Sequence, residues 1–144
     1  MITRETDYAI RALLCLARRE AGSVTSTTVL AEEMEIPYRF LRRILLKLGE
    51  AGLVISQRGK QGGLRLARPA EQVSLLDAVR AVDPTVLTLN VCLTDPAECG
   101  RSSHCVVHAE LAAIQTQMHQ QLDGISLATL VERETRTTAA RGPE

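Results

Sequence analysis

Apolar positions along residues 4–20 recur with the three- and four-residue spacing of an amphipathic helix. Ile10, Leu13, Leu14 and Ala17 share one face, and charges occupy the rest. Cys15 lies inside this segment between Leu14 and Leu16, the setting of a packed thiol. Thr25 and Ser26 then offer cap oxygens to a short helix through Val29, Leu30 and Met34. Glu35-Ile36 makes a turn, and Pro37 suits the first turn of another helix that runs to about Glu50. Phe40, Leu41, Ile44, Leu45 and Leu48 form its apolar side. Arg39, Arg42, Arg43 and Lys47 are left for the other side, and Ala51-Gly52 ends the helix.

The period then shortens. Leu53-Val54-Ile55 and Leu64-Arg65-Leu66 predict two short strands, joined by a segment with three glycines and two basic residues, Arg58 and Lys60. Ser74-Leu75-Leu76-Asp77 resembles a capping box, opening a helix that Asp83-Pro84 stops after Val82. Residues 85–103 are polar and turn-forming, as in a loop. From about His104 a long helix extends to Leu122, with Val107, Leu111, Ile114, Met118 and Leu122 as a continuous stripe. Such a stripe suits pairing with a second subunit; packing on its own domain is the alternative. Ile125 to Glu134 predicts a short amphipathic helix, and residues 135–144 a flexible tail.

This order predicts a mainly α fold: a winged helix-turn-helix with a small β-hairpin wing and a long C-terminal dimerisation helix. The expected division is residues 1–84 for DNA binding, 85–105 for a cysteine-rich loop, 106–134 for dimerisation and 135–144 for the tail. Three aromatic residues, Tyr8, Tyr38 and Phe40, leave the core to Leu, Ile, Val and Ala. No apolar run approaches the roughly 18 residues of a membrane span, and the N-terminus lacks a signal-peptide pattern, so the expected location is cytoplasmic.

The zero net charge hides an asymmetry. Residues 1–69 carry 12 Lys/Arg and 7 Asp/Glu; residues 70–144 carry 5 and 10. Between Arg39 and Arg68 stand eight basic residues and one acid, Glu50. A basic helix after a helix and turn, followed by a basic glycine-rich hairpin, suits double-stranded DNA. The expected DNA-facing residues are Tyr38, Arg39, Arg42, Arg43 and Lys47 on the helix, with Arg58, Gly59, Lys60 and Gln61 on the wing. A dimer would present two such modules to a palindromic operator.

Cys92, Cys99 and Cys105 stand in one segment, with six and five residues between them, and His108 follows Cys105 by three. In a helix that spacing puts Cys105 and His108 on one face. Three thiolates and one nitrogen or oxygen suit an iron–sulfur cluster or zinc; redox-active thiols are the third possibility. The gaps exceed those of common zinc knuckles and favour the larger inorganic core. His104 and His119 are expected to be exposed.

Thr6-Asp7-Tyr8-Ala9, Arg58-Gly59-x-x-Gly62-Gly63, the three-cysteine segment and Leu127-Ala128-Thr129-Leu130 together resemble the Rrf-type iron–sulfur winged-helix transcription regulators, over about residues 2–134. The resemblance implies a homodimeric regulator, most often a repressor, whose DNA affinity follows the state of a cluster near the dimer interface. It implies Cys92, Cys99 and Cys105 as thiolate ligands. His108 matches the fourth ligand of the cluster-assembly branch, with a 2Fe-2S cluster, which we prefer. Asp7 from the partner subunit matches that of the nitric-oxide-sensing branch, with a 4Fe-4S cluster. The cluster-assembly regulator has an acidic residue on its recognition helix; Arg39, Arg42 and Arg43 here imply a different operator. The remaining readings are a cluster-free regulator with a thiol or zinc switch, and a winged-helix protein-interaction module with structural zinc. No nucleophile–base motif or phosphate loop suggests an enzyme.

Overall fold

The computed structural model describes residues 2–141; the end of the expected tail, residues 142–144, lies outside the described residues. Helix α1 (Arg4–Ala17) begins where the Thr3 side chain accepts the Thr6 N–H at 3.3 Å, and acidic Glu5 and Asp7 stand in its first turn, where the helix dipole favours them. Its buried face is Ala9, Ala12, Leu13, Cys15 and Leu16. Of the residues expected on its apolar face, Leu13 is buried, while Ile10, Leu14 and Ala17 are only partly buried and line its margin.

Helix α2 (Thr27–Glu33) is capped by Ser26, whose hydroxyl accepts the Val29 N–H at 3.2 Å, as the sequence suggests. Glu35 makes the following turn in the left-handed region, at φ +53°, a conformation that costs a side-chain-bearing residue energy. Pro37 directly precedes α3 (Tyr38–Glu50), and Leu41, Ile44 and Leu48 of that helix are buried. Phe40, expected on the apolar side, is exposed.

Strands β1 (Val54–Gln57) and β2 (Gly63–Leu66) form an antiparallel hairpin, with Val54 opposite Leu66 and Gln57 opposite Gly63. Thr25 adds a bridge to Leu64 through two backbone hydrogen bonds of 2.9 and 2.8 Å. This approach requires glycine beside it: a Cβ on Gly63 would stand 2.7 Å from the Thr25 carbonyl oxygen.

Helix α4 (Leu75–Val82) has the complete capping box. The Ser74 hydroxyl accepts the Asp77 N–H at 3.1 Å, and the Asp77 carboxylate accepts the Ser74 N–H at 3.0 Å. The segment between α4 and the next helix is not plain loop: Val91–Leu93 and Pro96–Glu98 form short 3-10 turns. Helix α5 (Val106–Asp123) starts two residues later than the sequence suggests and contains no buried residue.

Helix α6 (Leu127–Arg141) continues well past Glu134, so residues 135–141 are helical rather than the flexible tail expected from their composition. It turns back onto the N-terminal elements. Leu127 is fully buried in the common core, and its N–H donates to the Val73 carbonyl at 2.8 Å. Glu134 accepts the Arg18 Nε–H at 2.7 Å. The core thus joins α1, α2, α3, the hairpin, α4 and α6, while α5 lies outside it. Each fully buried Leu or Ile contributes about 1.5–3 kcal/mol by leaving water. No helix among the described residues is long and apolar enough to cross a membrane.

Candidate nucleic-acid interface and cysteine loop

Core packing of Leu41, Ile44 and Leu48 fixes which face of α3 remains outside. Arg39, Arg42 and Arg43 are exposed there with Leu46, and Tyr38 is exposed at the start of the helix. The four basic residues are not equivalent. Lys47 Nζ donates to the Val82 carbonyl at 3.2 Å and lies 3.2 Å from a Glu5 carboxylate oxygen. Arg43 Nε is also 3.2 Å from Glu5, and its guanidinium lies 5.7 Å from the Phe40 ring centre. Among the described residues Arg39 and Arg42 have no such partner. Sequence spacing alone cannot separate these pairs, because Glu5 arrives from α1.

Glu5, Tyr8, Phe40, Arg43, Lys47 and Asp83 are among the residues that line an open cavity of about 530 Å³ behind α3. The Asp83 carboxyl is held below its ordinary value, first by the Thr85 hydroxyl and N–H, with Lys47 adding a weaker attraction. In the wing, Arg58, Gly59, Lys60 and Gln61 are all exposed at the tip. Gly59 is at φ +118°, and the Gly62 N–H donates to its carbonyl at 2.9 Å, closing a turn open to glycine.

In the cysteine loop, Cys92 is buried within the first 3-10 turn, between Val91 and Leu93, although the segment that follows, from Thr94 to Gly100, is largely polar. His108 Nδ1 lies 3.4 Å from Cys92 Sγ. Cys105 caps α5 in extended conformation, so the shared helical face expected for Cys105 and His108 does not form; His108 meets Cys92 instead. Cys99 and Cys105 are partly exposed. Among the described residues no three His, Cys, Asp or Glu side chains are gathered closely enough to hold a metal ion. The donor set suits a thiolate-held group, with Cys92 and His108 already adjacent, but Cys99 and Cys105 would have to close onto them. Asp7 is on the first helix, paired with Arg11 at 2.7 Å. Cys15 is buried, as a packed thiol should be, and donates to the Glu33 carboxylate at 3.3 Å; burial foremost, then this bond, raises its pKa.

Helix α5 meets the preceding loop and α4 through polar groups, of which the sequence marks His108 alone. Besides His108, Gln115 accepts the Leu89 N–H at 2.9 Å, and His119 Nδ1 lies 3.2 Å from an Arg80 guanidinium nitrogen. His119 is half-buried rather than exposed. Along the apolar stripe, Leu111, Met118 and Leu122 are half-buried, while Val107 and Ile114 are 58% and 52% exposed.

A helix, a turn, a second helix with an arginine-bearing outer face and a basic two-stranded wing define a winged-helix DNA-binding regulator of transcription. Comparison with known proteins agrees. The chain belongs to the Rrf2 family, described as iron-dependent transcriptional regulators, whose sequence model matches residues 2–133. Its structure is similar to that of CymR, the global cysteine regulator of B. subtilis, at 24% identity over 92% of this chain and 97% of that one, with a TM-score of 0.73. It is also similar to the oxidized form of Staphylococcus aureus CymR, at 25% identity over 92% and 96% of the two chains, with a TM-score of 0.68. T. potens IscR matches at 22% identity over 93% and 88%, with a TM-score of 0.69. The family's members regulate transcription; they are not enzymes.

Proposed function

We propose that two copies of this chain bind a palindromic double-stranded operator as a repressor, and that an iron–sulfur cluster controls their affinity for it. Each α3 enters a major groove, where Arg39 and Arg42 reach bases or phosphates, while Arg58 and Lys60 enter the flanking minor groove. Val107, Leu111, Ile114, Met118 and Leu122 pair with the same stripe of the second copy. The exposure of Val107 and Ile114 supports this, since pairing would remove them from water.

The observation that carries the sensing assignment is the approach of His108 to Cys92 across 16 residues of chain, 3.4 Å between Nδ1 and Sγ. Cys92, Cys99, Cys105 and His108 would hold a 2Fe-2S cluster; Asp7 of the partner subunit in place of His108 would suit a 4Fe-4S cluster. When bound, the cluster supplies iron that responds to iron supply, oxidants and nitric oxide. The protein's own part is mechanical. Cys92 and His108 tie the loop to the first turn of α5, Gln115 ties α5 to the loop again at Leu89, and His119 ties α5 to Arg80 of the winged helix. Releasing the first tie alters how α5 sets the two α3 helices apart. Couplings of this kind are about 1–3 kcal/mol, or roughly 5–150-fold in affinity.

Purification without oxygen tests this directly. A coloured protein with iron and sulfide in equal amounts is expected, and iron per subunit separates the His108 from the Asp7 arrangement. A colourless protein that stays colourless after reconstitution refutes cluster sensing. A cluster-free thiol switch is then the stronger reading. It is favoured by the partly exposed Cys99 and Cys105 and by the likeness to a cysteine regulator with an oxidized form.

A further inference from the structure

Leu46 is 69% exposed, more than any other large apolar side chain of α3. Phe40 is accounted for by the Arg43 guanidinium and the cavity behind the helix. Leu46 has no comparable partner. It lies seven residues after Arg39, four after Arg42 and three after Arg43, so it shares their outward stripe. A single exposed leucine on a neutral surface is ordinary. One set among three exposed guanidinium groups is different. Those charges make the surface complementary to a polyanion and unsuited to an apolar protein partner.

Leucine can neither donate nor accept a hydrogen bond, so it cannot be a phosphate contact. In a major groove the apolar group within reach of such a side chain is the thymine 5-methyl. We infer that Leu46 is a specificity-determining residue that selects thymine through its methyl group. This rests on the placement of α3 in the groove given above. It goes further in that the arginines alone would favour guanine or phosphate, whereas Leu46 adds a requirement for a methyl at a defined place in each half-site.

The test begins with selection of binding sites from random duplexes by the full-length protein. Each thymine of the best site is then replaced by uracil, which lacks only the methyl. At one thymine per half-site the wild type should lose about fourfold in affinity, the factor for removing one buried methyl-sized group. Leu46→Ala should bind the thymine site more weakly by a similar factor and should not distinguish thymine from uracil there. Because Leu46 is exposed, the variant should melt with the wild type. A wild type indifferent to every replacement, or a Leu46→Ala protein with the full uracil penalty, overturns the assignment while leaving α3 in the groove. If selection enriches no sequence, sequence reading by α3 fails and the assignment falls with it.

Discussion

Replacing Lys47 by Met separates a DNA contact from an internal strut. Composition makes Lys47 one of four equivalent cations on the recognition helix. The fold makes it the donor that closes the end of α4, through the Val82 carbonyl at 3.2 Å, and a partner of Glu5. Its side chain is 35% exposed and that of Glu5 25%. A hydrogen bond from a charged donor is worth about 1.5–3 kcal/mol, and partial solvent access lowers that figure. A partly exposed ion pair adds about 0.2–1 kcal/mol. Methionine keeps the aliphatic stem and the helix propensity, so Lys47→Met should cost about 1–2 kcal/mol. For a chain of this length that is a fall in Tm of about 2–8 °C, read by circular dichroism. The salt dependence of DNA binding should not change. Arg39→Ala should do the reverse: an unchanged Tm, and a salt slope smaller by about one if it meets a phosphate. A Lys47→Met protein that melts with the wild type but shows the smaller slope would refute the internal role.

Four further outcomes follow from particular contacts. Ser74→Ala removes half of the capping box and should lower stability by about 0.5–2 kcal/mol in urea unfolding, without changing operator preference. Ile114→Glu puts a charge on the exposed part of the α5 stripe and should give a monomer by light scattering at concentrations where the wild type is a dimer; a persistent dimer places the interface elsewhere. Iodoacetamide should modify Cys99 and Cys105 before Cys15, as read by mass spectrometry, because burial holds the Cys15 thiol above its ordinary value of 9.0. A raised folded-state pKa favours folding below the unfolded value and loses that contribution as pH rises. Stability should therefore decline above about pH 9, and less steeply in Cys15→Ala.

Much of the frame was legible in the chain because its signals are local. Ser26 and Ser74 cap within three residues, Glu35 and Pro37 punctuate one turn, and the glycines near 59–63 specify a tight hairpin. The cysteine spacing likewise marked a special segment, and the arginine-rich helix marked a polyanion surface. Local patterns reach as far as a helix face or a turn and no further. The sequence alone determined which segments become helices and wing, and which residue types stand at the candidate sites.

Tertiary packing decided what those residues face. Glu5, brought from α1, engages Lys47 and the still exposed Arg43 and leaves Arg39, Arg42 and Leu46 without such a partner. Folding places His108 on Cys92 rather than on the Cys105 three residues away. The same long-range closure seats α6, because Leu127 in the core and Glu134 on Arg18 hold it against α1. These are pairings between groups many residues apart. They depend on where the buried apolar faces bring the chain together, which no periodicity within a single segment can express.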